Sequence, residues 1–142
     1  MENKLNCVLL IDDDEATNLV NKMVVNQLDC AESVEIAYNG QEALDFLKST
    51  TDGKYPQPDL IILDINMPVM DGWEFLEEYN QLNDDQLGRV VVTMLTTSLN
   101  PEDKAKADNS PNINDFLNKP LTTEALAGII AHYFPEKADA ML

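Results

Sequence analysis

Hydrophobic residues fall along this chain in two alternating patterns. Short continuous apolar runs, such as Leu5 to Ile11 and Leu60 to Leu63, are typical of strands that are buried on both faces. Between these runs, apolar residues recur every three or four positions, which is typical of an amphipathic helix. The first such stretch carries its apolar residues at Ala16, Leu19, Val20, Met23, Val24 and Leu28. The pattern therefore predicts a strand followed by a helix, repeated along the chain.

The remaining strands and helices continue the alternation. Further strands are predicted around Val34 and Ile36, from Val90 to Leu95, and at Phe116-Leu117. Further helices are predicted on Ala43-Leu44-Leu47, on Trp73-Leu76-Tyr79-Leu82, and from the N-cap Thr122 as far as Pro135. A fourth helix is predicted to start at Asn100-Pro101, although its apolar residues are only alanines.

Five strand–helix repeats predict an α/β domain with a doubly wound parallel sheet and helices on both faces. In a flavodoxin-like strand order, 2-1-3-4-5, the first and third strands flank the point where the winding reverses, and ligands bind beyond the strand ends there. We expect residues 1–142 to form a single domain with five strands and five helices, with its core at about 5–134 and no further domain.

The net charge of the chain indicates which kinds of molecule it can bind. The chain has 142 residues and a formal net charge of −17. A surface this acidic, with no basic stripe, should repel nucleic acid and anionic membranes and attract basic protein surfaces. The acidic charge could equally do no more than keep the protein soluble. No apolar run approaches the roughly 18 residues of a membrane span, and the N-terminal run is too short for a signal peptide. A cytoplasmic protein is the expectation.

Cysteine and histidine usage argues against several kinds of site. Cys7 and Cys30 are expected to be reduced, half-buried thiols and not a disulfide or a metal pair. His132 is the single histidine of the chain. A zinc site or a histidine-based catalytic triad is therefore not expected.

Polar residues with useful chemistry follow four of the predicted strands. They are Asp12-Asp13-Asp14, Asp64, Thr96-Thr97 and Lys119-Pro120. Because the carboxyl ends of parallel strands meet at one edge of a sheet, we expect these residues to converge. A pocket with excess carboxylate and one ammonium group should bind a hard cation such as Mg²⁺ and can handle phosphoryl groups.

The aspartates admit more than one interpretation. Adjacent carboxylates at about 4 Å repel by on the order of 4 kcal/mol at an effective dielectric constant of about 20, which a bound cation would relieve. Helix capping requires only one of the three, so we assign the cap to Asp14 and the cation to Asp12 and Asp13. Asp64 could be a metal ligand, a nucleophile that forms an aspartyl phosphate, or the start of an Asx turn.

The other polar residues are weaker indicators when taken singly. A hydroxyl of Thr96 or Thr97 could donate to a phosphoryl oxygen, and the ammonium of Lys119 could neutralise one. Threonine after a strand is also common, and Lys-Pro is an ordinary turn. Their shared position at strand ends is what makes the group of residues specific.

Four segments, VLLIDDDE, ILDINMPVMDGWEFL, VVTMLTTS and FLNKPL, make the chain similar to the receiver domain of two-component response regulators. The similarity extends from about Leu5 to Phe134. It implies that Asp64 is the phosphoacceptor and that Asp12 and Asp13 form an acidic pair. It further implies that Asp13, Asp64 and the backbone carbonyl of Asn66 bind Mg²⁺ directly, with Asp12 acting mainly through water.

The same resemblance implies a switch. Thr96 would hydrogen-bond the phosphoryl group, Lys119 would pair with it, and Phe116 would take the place of the aromatic residue that turns inward when Thr96 moves. The protein would then be a single-domain regulator without an output domain, phosphorylated by a histidine kinase or a histidine phosphotransfer protein, and acting on an unidentified downstream protein or passing the phosphoryl group on. Its catalysis would be limited to its own phosphorylation and slow autodephosphorylation.

Two other functions compete with this one. Asp12 and Asp14 match the spacing of the two aspartates of haloacid dehalogenase-type phosphatases, but Ala16 stands where Thr or Val is expected and there is no cap domain. A receiver fold could also bind its partner without phosphate. The complete set of acids, threonine and lysine argues against that, because a module that needs no phosphate gains nothing from repelling carboxylates.

Overall fold

The computed structural model describes residues 4–64, 70, 72–87, 91–96, 105, 113–118 and 121–135. Its strands are β1 (Leu5–Ile11), β2 (Ala31–Ala37), β3 (Leu60–Asp64), β4 (Val91–Thr96) and β5 (Ile113–Asn118). Its α-helices are α1 (Glu15–Leu28), α2 (Gly40–Lys48), α3 (Gly72–Tyr79) and α4 (Thr123–Tyr133), and a 3-10 turn covers Asp84–Gln86. The predicted α/β class, a parallel sheet with helices, is confirmed.

The strand order β2-β1-β3-β4-β5 places β1 and β3 side by side at the centre of the sheet. These two strands run parallel to each other, and Ile11 pairs with Leu63 at their C-terminal ends. The residue after each of these two is an aspartate, Asp12 after β1 and Asp64 at the end of β3. The register alone therefore brings two carboxylates to the same edge of the sheet.

The two faces of the sheet carry separate hydrophobic clusters, because side chains alternate along each strand. One cluster joins strand residues such as Leu10 and Ile62 to helices α1 and α4. The other joins residues such as Leu9 and Ile61 to helices α2 and α3. All residues of β3 are buried, as predicted for a strand covered on both faces. No helix in the described ranges is both long and apolar enough to cross a membrane.

Helix α1 buries a different face from the one that its apolar pattern indicates. Leu19 and Met23 are 59% and 52% exposed, whereas Asn18 is 0% exposed and Asn21 is also buried. Of the predicted apolar stripe, Val24 is buried on this inner face. The helix is where the sequence predicts it, but two asparagines occupy inner positions that periodicity assigns to apolar residues.

Helix starts agree with the predicted caps. The carboxylate of Asp14 accepts hydrogen bonds from the backbone N–H and the hydroxyl of Thr17, which confirms its assignment as the cap of α1. The hydroxyl of Thr122 accepts from the N–H of Ala125 and caps α4. Each satisfies a backbone donor that the first helical turn leaves without an intrahelical partner.

Several boundaries differ from prediction. Strands β2 and β5 are longer than the residues Val34-Ile36 and Phe116-Leu117 that marked them, because sheet pairing continues into polar sequence. Helix α3 ends at Tyr79, before Leu82. The helix predicted from Asn100 lies outside the described residues, except for Ala105.

Both thiols are more deeply buried than the half-burial predicted for them. Cys7 and Cys30 are each 4% exposed, and neither forms a disulfide. Burial penalises the charged thiolate, so it raises the pKa of Cys7 and raises that of Cys30 from 9.0 to about 11. Neither thiol is a reactive nucleophile at neutral pH.

Cys30 should make the stability of the fold fall in alkaline solution. As pH rises from 9 to about 11, the unfolded chain loses this proton while the folded protein keeps it, so unfolding becomes more favourable. Below pH 9, Cys30 makes its full contribution to the stability of the folded protein. Urea unfolding of wild type and Cys30→Ala should therefore show a stability difference that shrinks between pH 9 and pH 11. A constant difference would contradict the raised pKa.

Candidate functional site

Three carboxylates meet at the C-terminal edge of the sheet. One oxygen each of Asp12, Asp13 and Asp64 can be chosen so that all three lie within 4.8 Å of one another. Asp12 and Asp64 are buried, at 2% and 3% exposure, and Asp13 is exposed. The structure thus brings together the three aspartates that the strand pattern predicted to converge.

The donor set suits a hard divalent cation. Carboxylate oxygens are the ligands preferred by Mg²⁺ and Ca²⁺, and oxygens separated by less than 4.8 Å can reach one ion between them. Three like charges at this spacing repel one another, most strongly where burial removes screening water. A cation would offset that repulsion, and the exposed Asp13 leaves a side open to solvent.

The turn from β1 to α1 is held by hydrogen bonds to Asp12. Its backbone N–H donates to the carbonyl of Ala37 at 3.1 Å, and its Oδ1 accepts from the N–H of Asp14 at 2.9 Å. Its carbonyl accepts from Nδ2 of Asn18 at 2.8 Å. The main chain and the side chain of Asp12 are thereby both oriented.

Asn18 is a site neighbour that the sequence analysis missed. A usable signal was present, because Asn18, Asn21, Val25 and Leu28 also recur at helical spacing. A polar residue on such a stripe, a few positions after an aspartate cluster, could have been assigned to the inner face. The stronger apolar stripe at Leu19 concealed it.

The remaining predicted site residues are only partly described. Thr96 ends β4, one residue beyond Leu95, which pairs with Asp64. Phe116 lies in β5 and pairs with Met94. The backbone of Thr96 therefore reaches the carboxylate edge of the sheet. The side chains of Thr96 and Phe116, and all of Asn66, Thr97 and Lys119, lie outside the described part of the chain, so their roles stay predictions.

Gly40 packs closely against Met70. It is buried at the start of α2, and a Cβ on it would lie 2.5 Å from Sδ and 2.9 Å from Cγ of Met70. Met70 belongs to the connection between Asp64 and α3. A side chain at position 40 would therefore collide with Met70 unless the methionine moved.

Gly40→Ala and Gly128→Ala should change stability in opposite directions. At Gly40 the methyl group overpacks against Met70, at a cost on the order of 1 kcal/mol because methionine can partly adjust. At Gly128, within α4, a Cβ meets nothing within 4 Å, so alanine should stabilise the helix by about 0.5–1 kcal/mol. Chemical denaturation measures both. Equal effects would show that Met70 does not pack on Gly40.

A separate cavity of about 500 Å³ lies near the other end of β1. Its lining residues are Asn6, Gly53, Lys54, Tyr55, Pro56, Gln57 and Asp85. None of the three clustered aspartates lines it, and Asn6 belongs to the start of β1, whereas the carboxylates follow its end. The cavity is therefore not part of the carboxylate site.

Comparison with known proteins gives consistent similarities. The model of the family described as "Response regulator receiver domain" matches residues 8–131. The crystal structure of a two-component response regulator from Cytophaga hutchinsonii is 32% identical, with a TM-score of 0.79, over 91% of this chain and 96% of that one. That of chemotaxis protein CheY4 from Vibrio cholerae is 28% identical, with a TM-score of 0.73, over 90% of this chain and 98% of that one.

Curated relatives include both short and long proteins. Response regulator Rcp1 from Synechocystis sp. is 36% identical over 115 residues, which cover 79% of this chain and 75% of Rcp1. Other relatives are longer, and the matched region spans from 6% to 54% of their length. The similarity thus covers the receiver region in proteins of different overall size.

Proposed function

Because the chain belongs to the family of response regulator receiver domains, we propose that it is an Mg²⁺-dependent phosphoacceptor that uses Asp64. The donor would be a phosphohistidine of a histidine kinase or of a histidine phosphotransfer protein. The observation that carries the proposal is the cluster of Asp12, Asp13 and Asp64 at the carboxyl ends of β1 and β3. It supplies both a nucleophile and the ligands of a cation at one place.

The transfer itself needs little covalent chemistry from the protein. A carboxylate oxygen of Asp64 attacks phosphorus in line, and the bond between phosphorus and the imidazole nitrogen breaks, with its electron pair staying on that nitrogen. The product is an acyl phosphate on Asp64. The strand end holds Asp64 in place, so that the chain's main contribution is positioning and electrostatics.

The neighbouring acids would hold the cation. Asp13 and Asp64 would bind it directly, together with the carbonyl of Asn66, and Asp12 would act mainly through water. When bound, Mg²⁺ supplies positive charge that offsets the phosphoryl oxygens and the attacking carboxylate. The acyl phosphate carries roughly 2 negative charges where the Asp64 carboxylate carried one, beside two remaining aspartates, which strengthens the need for that offset.

Signalling would follow from the response of the next two strands. Thr96 at the end of β4 would donate to a phosphoryl oxygen, Lys119 would pair with another, and Phe116 would fill the space that Thr96 leaves. The adjacency of β4 and β5 supports this coupling. Switches of this kind typically couple their sites by about 1–3 kcal/mol, and here the readout would be binding of a downstream protein or onward phosphotransfer.

Acetyl phosphate tests the proposal without a partner protein. With Mg²⁺, intact-protein mass spectrometry should detect one added phosphoryl group that hydroxylamine removes, as expected for an acyl phosphate. EDTA should prevent the addition. Borohydride reduction followed by peptide mapping should locate the modification at Asp64. A hydroxylamine-resistant phosphate, or labelling that persists in EDTA, would refute the proposal.

A further inference from the structure

Asn18 is buried at 0% exposure on the inner face of α1, one turn into the helix, where its amide meets the main chain of Asp12. We propose that Asn18 is a positioning residue that sets the orientation of the aspartate pair, and hence the affinity of the cluster for Mg²⁺. The inference rests on the proposed function for its biological meaning. It concerns a residue that touches neither the cation nor the phosphoryl group.

The contact falls on the peptide unit that joins the two aspartates. Nδ2 of Asn18 donates to the carbonyl oxygen of Asp12 at 2.8 Å, and that carbonyl belongs to the plane leading into Asp13. A peptide unit is rigid, so fixing its oxygen fixes the direction in which Asp13 leaves it. Asp13 is exposed and has no burial to orient it.

Further hydrogen bonds hold the residues on either side of this peptide unit. The N–H of Asp12 is held by β2 through Ala37, and Oδ1 of Asp12 accepts from the N–H of Asp14. The backbone N–H of Asn18 donates to the carbonyl of Asp14 at 3.1 Å. Asn18 therefore bonds to both ends of the aspartate turn, to Asp14 through its backbone and to Asp12 through its side chain.

The side-chain oxygen of Asn18 indicates why asparagine occupies this position. Oδ1 of Asn18 is buried and has no hydrogen-bond partner among the described residues. An unpaired buried acceptor is unfavourable, and an apolar residue of similar volume at position 18 would avoid it. The advantage of asparagine at this position thus lies in its Nδ2 donor to Asp12.

Asn21 provides a matched comparison. It is also a buried asparagine on the inner face of α1, one turn further from the aspartates. Asn18→Leu and Asn21→Leu make the same chemical change on the same helix. Within the described part of the chain, only the first removes a hydrogen-bond donor to Asp12.

Mg²⁺ affinity, measured by isothermal titration calorimetry on the full chain, is the direct test. Asn18→Leu should weaken Mg²⁺ binding by about tenfold, in the range seen when residues that orient metal ligands are removed. Asn21→Leu should bind Mg²⁺ as the wild type does. With acetyl phosphate, the Mg²⁺ concentration for half-maximal labelling should rise by the same factor in Asn18→Leu, and saturating Mg²⁺ should restore most of the rate.

The outcomes separate the two proposals. Equal Mg²⁺ affinity in Asn18→Leu and Asn21→Leu, or equal losses in both, would overturn the role of Asn18 whatever the phosphorylation result. Failure of the wild type to label would instead overturn the proposed function.

A measurement on the unaltered protein guards against misfolded variants. In ¹H–¹⁵N spectra, Mg²⁺ should shift the side-chain amide signals of Asn18 and leave those of Asn21 in place. Unmoved Asn18 signals would contradict the inference.

Discussion

Asp64→Asn should abolish labelling of the chain by acetyl phosphate in the presence of Mg²⁺. The amide has nearly the same shape as the carboxylate but no anionic oxygen to attack phosphorus. We expect a loss of labelling rate on the order of a thousandfold or more, as when other catalytic nucleophiles are removed. The variant should still fold, because it removes one charge from a cluster of three repelling acids, two of which are buried. Intact-protein mass spectrometry over a time course measures the rate.

Asp14→Asn is the matched control for this change. Asp14 lies next to the site but is exposed and caps α1, and asparagine caps helices as well as aspartate does. Its labelling rate should equal that of the wild type. If Asp64→Asn labelled normally, the nucleophile would have to be another residue. If Asp14→Asn also lost labelling, local charge and not a specific nucleophile would be responsible.

Asp13→Asn should be less stable than the wild type with Mg²⁺ but more stable than the wild type in EDTA. At a Mg²⁺ concentration of 100 times the dissociation constant, binding to the folded state alone stabilises the wild type by about 2.7 kcal/mol. The variant should lose most of that gain, because it lacks one of the three clustered carboxylates. In EDTA it should instead be more stable than the wild type by about 1 kcal/mol, after allowing for the solvent that screens an exposed charge.

Urea unfolding with Mg²⁺ and with EDTA measures both effects. A variant that is less stable than the wild type with Mg²⁺ but more stable in EDTA has lost a metal ligand. Simple damage to the fold would instead lower its stability in both solutions. Asp14→Asn again serves as the control and should keep the full Mg²⁺ stabilisation. A variant at Asp13 that retained it would show that the cation is held without this carboxylate.

Helix α1 shows where prediction from the sequence succeeds and where it fails. Its position and its cap at Asp14 follow from local rules, since a cap bonds to residues within its own first turn. Its buried face does not follow, because Leu19 and Asn18 are neighbours and either side of the helix could face the sheet. The contact between Asn18 and Asp12 is available only once α1 packs beside the end of β1.

The alternation of strands and helices, and the aspartates that follow β1 and β3, can be predicted from the sequence, because hydrophobic periodicity and helix capping depend on residues only a few positions apart. The structure was needed to establish the register that sets Ile11 level with Leu63, which face of α1 is buried, and how closely the three carboxylates approach. Those features depend on contacts between segments far apart in the chain, and their energies are set by packing and register that no local pattern records.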